Sequence, residues 1–195
     1  MEKEKIIMGV DPGTNILGYA ILSIKGKALS CLVFDVLNLS KVESHEEKIK
    51  QIFITINDLI QTYKPVEFIV EAPFYGKNVQ SMLKLGRAQG VSIAAAIANN
   101  IPFYEYEPKK IKQSITGSGS ASKEQVAIMV KSILGIKDDH KYLDATDALA
   151  VALCHHFKGN VLLKDSIKAS KTKPKKYGSW ETFVSNNPSK IKNPD

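Results

Sequence analysis

Four carboxylates stand out along this 195-residue chain because of where they fall. Asp11 closes the apolar run "KIIMGVD" directly before Pro12 and Gly13, and Glu71 closes "EFIVE". Asp144 and Asp147 lie three apart in "YLDATDALAVAL". A charge at the end of a buried strand is costly to desolvate. Each residue has an ordinary explanation. Asp-Pro-Gly is turn chemistry, a Glu ending a strand meets solvent, and two Asp in a first helical turn suit the positive end of the dipole. Together they ask for more, because four carboxylates meeting at one sheet edge repel and titrate upward unless a divalent cation compensates. Oxygen ligands alone suit Mg²⁺ or Mn²⁺ and not zinc. Two such ions roughly 4 Å apart activate a water and stabilise the leaving oxygen in phosphodiester hydrolysis.

The elements that must bring these residues together follow an α/β pattern. Residues 5–11, 17–25 and 28–37 read as strands joined by short turns, hence as antiparallel hairpins. Ser44 with Glu47 predicts a capping box, and Ile49, Ile52, Phe53, Ile56, Leu59 and Ile60 recur at helical spacing until Pro65. "EFIV" (67–70) is a short buried strand, 78–100 a long helix, and 102–107 a fifth strand. Pro108 opens a short helix to about Gln113. The loop "TGSGSAS" leads to a helix from about Lys123 to Leu134, and a last helix ends near Phe157. The result is a five-stranded mixed sheet, its first three strands antiparallel, with helices on both faces. If the strands ending at Asp11 and Glu71 are adjacent and parallel, both acids emerge side by side. The last helix then packs across that edge with Asp144, Asp147, Ala148 and Val151 on its inner face.

Composition bounds the rest. With 44% hydrophobic residues the chain can bury one real core. The N-terminus "MEKEK" fits neither a signal peptide nor a membrane span. Cys31 and Cys154 are too few for a disulfide or metal framework, which points to a reducing cytoplasm. Residues 158–195 carry nine lysines against three acids, so nearly all of the net charge of +7 sits there. Residues 1–157 therefore read as one domain. Residues 158–195 read as a basic, largely disordered tail with an aromatic segment at 177–184 (Tyr177, Trp180, Phe183, Val184). Such a tail serves solubility or binds a polyanion.

"GVDPGTNILGYAI", "VEAPFYGKNVQSMLKLGRAQGV", "YEYEPKKIKQSITGSGSASKEQV" and "DATDALAVALCH" resemble, in order, the RuvC family of bacterial Holliday-junction resolvases. The resemblance covers roughly residues 5–157. It implies a ribonuclease-H-like fold and a structure-selective endodeoxyribonuclease. By resemblance Asp11, Glu71, Asp144 and Asp147 are the catalytic acids binding two Mg²⁺, with Mn²⁺ as a substitute. Such enzymes act as homodimers that nick opposing strands of a four-way junction symmetrically, leaving 5′-phosphates, in company with the RuvA–RuvB branch-migration complex. The resemblance places the stacking aromatic at Phe74 and matches Lys112 and Lys123 to basic residues near the scissile phosphate. Tyr75, beside Phe74 in "APFYGKN", is a second candidate for stacking on unpaired bases, worth about 1–3 kcal/mol per base. Lys77 and Arg87 are candidates for holding phosphates of the duplex arms. His140, four residues before Asp144, reads as a spectator.

Rival classes fare worse. "GVDPGT" also suits the first phosphate loop of actin-like ATPases and sugar kinases, but 195 residues leave no space for the second domain those folds need. "GSGSASKE" lacks the Gly before the lysine and the Ser or Thr after it that a P-loop requires. A junction-binding scaffold without catalysis would not need all four acids.

Overall fold

A computed structural model describes residues 3–73, 78–137 and 142–169. The chain divides into two units, Met1–Gly159 and Asn160–Asp195, and the whole sheet belongs to the first. The first three strands, β1 (Lys5–Asp11), β2 (Ile16–Lys25) and β3 (Ala28–Asn38), form an antiparallel meander. Helix α1 (His45–Tyr63) then crosses to β4 (Glu67–Glu71), and α2 (Val79–Ala98) crosses to β5 (Phe103–Tyr106). Both crossovers return parallel, giving the order β3-β2-β1-β4-β5. Helices α3 (Pro108–Thr116), α4 (Lys123–Leu134) and α5 (Leu143–Ala169) complete the elements among the described residues. The five-stranded mixed sheet and its antiparallel start are therefore as expected.

Both faces of the central strands are covered, which is why β1 buries Ile7 to Val10 without alternation. On one face Met8, Val10, Leu17, Ile21, Phe68 and Val70 pack against Ile52, Ile56 and Ile60 of α1 and Ala88, Ala95 and Ala96 of α2. On the other, Ile7, Ala20, Leu22 and Ile69 pack against α3, α4 and the apolar run Ala148–Cys154 of α5.

Several local expectations need correction. The capping box at Ser44 is half formed: the Ser44 hydroxyl accepts from the Glu47 N–H, but the Glu47 carboxylate takes bonds from Lys50 and Gln51. Phe53, expected on the apolar face of α1, is exposed because the buried stripe is narrower, at Ile52, Ile56 and Ile60. Helix α3 continues past Gln113 to Thr116 and stops at Gly117, which takes the left-handed conformation (φ 80°) that glycine adopts without steric cost. Most notably, the last helix does not end near Phe157, nor is the start of the tail irregular: its backbone is helical to Ala169. Gly159 costs a helix only about 1 kcal/mol, too little to end one that is already propagating.

Candidate active site

The register of the sheet delivers the first two acids. Val10 pairs with Val70 in the parallel β1–β4 ladder, so Asp11 and Glu71 leave the sheet side by side at its C-terminal edge. Helix α5 is brought down on this edge by two glycines. A Cβ on Gly18, the residue paired with Asp11 across β1–β2, would lie 2.0 Å from the main-chain oxygen of Asp144. One on Gly9 would lie 2.3 Å from that of Ala148. With no side chains there, helix backbone rests directly on strand backbone, and the first turn of α5 carries Asp144 and Asp147 over the end of β1. Asp11, Asp144 and Asp147 each offer a carboxylate oxygen within 4.8 Å of the others. Glu71 stands outside this trio but lines the same cavity, of about 340 Å³, with Asp11, Asp147, Lys112 and Lys123.

Other groups hold the edge in shape. The Glu71 carbonyl, at the end of its ladder, accepts from the Gln89 side-chain amide of α2 (3.3 Å), which also donates to Glu105 (2.7 Å). The next N–H, of Ala72, donates to the Tyr106 carbonyl at 2.9 Å. On the opposite side a reciprocal capping box between Ser122 and Gln125 starts α4 and sets the direction of Lys123, its first residue. The Lys123 ammonium lies 2.6 Å from Asp147 and 3.4 Å from Asp144. Lys112 reaches the cavity from α3.

The electrostatics follow from crowding at low hydration. Burial, reinforced by the Glu71 and Asp147 charges, holds the Asp11 carboxyl well above the ordinary range. Burial and Asp147 push Glu71 up to about 7, against the pull of Lys123 and Lys112. Asp147 is also raised by burial, although Lys123 opposes the shift. For Lys123 burial acts downward, but the Asp147 hydrogen bond and the surrounding acids outweigh it and hold the ammonium charged. Four acids thus face two lysines, and protons are retained where negative charge is in excess. An all-oxygen donor set with three ligand atoms this close fits a hard divalent cation.

The structure therefore brings together six of the residues singled out from sequence: Asp11, Glu71, Asp144, Asp147, Lys112 and Lys123. Arg87 is exposed on α2 and does not line the cavity. Phe74, Tyr75, Lys77, His140 and the 177–184 segment lie outside the described residues. Sequence reasoning missed Gly9, Gly18 and Gln89. Glycine inside a strand is a signal of close backbone approach and was available at both positions. A buried glutamine on a helix gives no comparable mark.

Comparison with known proteins agrees with this picture. The profile of the family described as crossover junction endodeoxyribonuclease RuvC matches residues 7–155. The chain is 54% identical to the crossover junction endodeoxyribonuclease RuvC of Cytophaga hutchinsonii over 189 residues, 97% of this chain and 89% of that one. It is 48% identical to that of Christiangramia forsetii, covering 98% and 95%. Both alignments are longer than residues 1–157, so the likeness runs on into the basic tail, which the motif resemblance did not reach. Among solved structures, Thermus thermophilus RuvC in complex with a Holliday junction substrate superposes with a TM-score of 0.75 at 32% identity, covering 80% of this chain and 96% of that one. The ordered motifs, the strand order and these similarities lead to one conclusion: the chain belongs to the RuvC family of crossover junction endodeoxyribonucleases.

Proposed function

We propose that this protein is a structure-selective endodeoxyribonuclease that resolves four-way DNA junctions in recombination and repair, by paired metal-dependent phosphodiester hydrolysis leaving 5′-phosphates. The observation that carries this reading is the trio of carboxylate oxygens within 4.8 Å at a sheet edge, flanked by Glu71 and two lysines. The likeness to a RuvC solved with a Holliday junction supports the substrate. Asp11, Asp144, Asp147 and Glu71 are the residues that would hold two Mg²⁺, or Mn²⁺ in its place. When bound, such ions activate a water and stabilise the leaving oxygen. The chain's own part is to fix the acids on rigid elements, two strand ends and one helix turn, so that little reorganisation is needed. Lys123, held between Asp144 and Asp147, and Lys112 across the cavity put positive charge where the phosphate gains negative charge. In the role drawn from the family, Phe74 stacks on bases unpaired at the junction centre; from their residue types and positions alone, Tyr75 adds to that stacking and Lys77 and Arg87 hold phosphates of the arms.

Symmetric cutting calls for a homodimer. Helix α2 supports one: Val79, Leu83, Gly86, Gly90, Ala94 and Ile97 fall on one stripe, and Val79, Leu83 and Ile97 are each more than half exposed. A Cβ at Gly86 or Gly90 would meet nothing within 4 Å, so a second copy of the helix can approach closely there. The domain ends near residue 157 and the basic tail serves DNA or partner contacts, with RuvA–RuvB as the branch-migration partner that the family resemblance suggests. No helix among the described residues is long and apolar enough to cross a membrane, and the DNA substrate suits the cytoplasm.

The test compares an intact four-way junction with a linear duplex of the same sequence in Mg²⁺. The junction is cut and the duplex spared; equal cutting of both would contradict structure selectivity.

A further inference from the structure

On the far side of the Asp11 turn lies a second recess, of about 400 Å³, that the reaction does not use. It is walled by Thr14 and Asn15 of the β1–β2 turn, His45 and Lys48 of α1, and Ser81 and Lys84 of α2, with Glu43 its one acid. Three features make it suited to an anion. First, two ammonium groups stand against one carboxylate, and Lys48 is already oriented by a 2.9 Å hydrogen bond to the Asn15 side chain. Second, the Nε2 of His45 is buried and finds no hydrogen-bond partner among the described residues, although a buried polar nitrogen is rarely left so. Third, His45 is the first residue of α1 and Ser81 lies in the first turn of α2, so the N-terminal ends of two helices, where anions are favoured, border the recess.

Its position says which anion. Thr14 follows Asp11 by three residues, so their Cα atoms are at most about 11 Å apart by chain length alone. A DNA strand advances roughly 3.4 Å along the duplex axis per phosphate, so the Thr14 wall of this recess lies within about three nucleotides of a phosphate held at Asp11. We propose that Thr14, Asn15, His45, Lys48, Ser81 and Lys84 form a second phosphate site, which grips the backbone of the cut strand within about three nucleotides of the scissile bond. The site rests on the junction-cutting function above and adds a fixed point that sets which phosphate of the strand arrives at the acids.

Junction binding measured against salt concentration in Ca²⁺ tests this. Lys84→Gln and Lys48→Gln, at unchanged melting temperature, weaken binding about three- to tenfold and lower the salt slope by about 1 each. Lys25→Gln, at the β2–β3 turn, leaves both unchanged. A neutral methylphosphonate placed in turn at each of the first three or so phosphates from the cut weakens the wild type by the same factor at one of them, and Lys84→Gln then adds no further loss there. Should Lys48→Gln disturb the turn through Asn15, Lys84→Gln decides alone. Wild-type affinity and slope in the variants would overturn the site while leaving the function standing. A wild type that shows no preference for the junction would overturn both.

Discussion

At the scale of single residues, the metal-free site is a set of charges kept apart by retained protons. Glu71 is pushed from the ordinary glutamate range to about 7 by burial and then by Asp147, so the folded protein holds its proton more tightly than the unfolded chain does. A group raised in this way contributes stability that is complete below its unfolded value, about 4.3, and lost as pH rises through about 7. The melting temperature of metal-free protein should therefore fall between about pH 5 and 8, and Glu71→Gln should flatten that fall. The comparison with the variant is needed because His155 and His156, held below their usual range by burial, slope the other way. Mg²⁺ should raise the melting temperature more at pH 8 than at pH 5, since ligands must shed protons to bind it. Differential scanning calorimetry reads both effects; a variant with the wild-type profile would mean that Glu71 is an ordinary solvated acid.

At the scale of elements, what could be read from sequence was what leaves a local mark. Charges ending apolar runs announced Asp11 and Glu71, and three-residue spacing put Asp144 and Asp147 on one face of α5. The adjacency of β1 and β4 was legible only as a condition, because it depends on two parallel crossovers that no local residue encodes. The end of α5 was misread, since a glycine and a rise in lysine content look like a boundary while backbone helix tolerates both. The closeness of α5 to the sheet was also missed, and it rests on Gly9 and Gly18. Gly18→Ala is thus the informative change at this scale. Its methyl group would push against the Asp144 carbonyl, costing about 1–3 kcal/mol of stability by overpacking and displacing two acids. Displacement near 1 Å costs on the order of 10²-fold in rate, so cutting should suffer more than folding. Chemical denaturation alongside a cleavage assay separates the two; a stable variant cutting at the wild-type rate would refute the role given to this contact.

At the scale of the whole molecule, the buried core residues among those described all precede residue 155, while most of the excess positive charge follows residue 157. Deleting residues 160–195 should leave the domain folded and able to cut junctions. Non-specific duplex binding should weaken, with a smaller salt slope, because eight lysines are lost. A truncated protein that fails to fold, or that keeps the full slope, would make the tail structural instead. The exposed α2 stripe predicts that light scattering at micromolar concentration gives about twice the 21.5 kDa of one chain, and a strict monomer would contradict it. The central claim is that the carboxylates gathered at the ends of β1, β4 and α5 hydrolyse DNA at a junction, and one measurement tests it most directly. A synthetic four-way junction, end-labelled on each strand in turn, is incubated with Mg²⁺ and either the wild type or Asp147→Asn. The wild type should give two symmetry-related nicks that a ligase can seal, and none in EDTA, while the variant binds the junction in Ca²⁺ and does not cut. Nicking by the variant at the wild-type rate, or by the wild type in EDTA, would contradict the account.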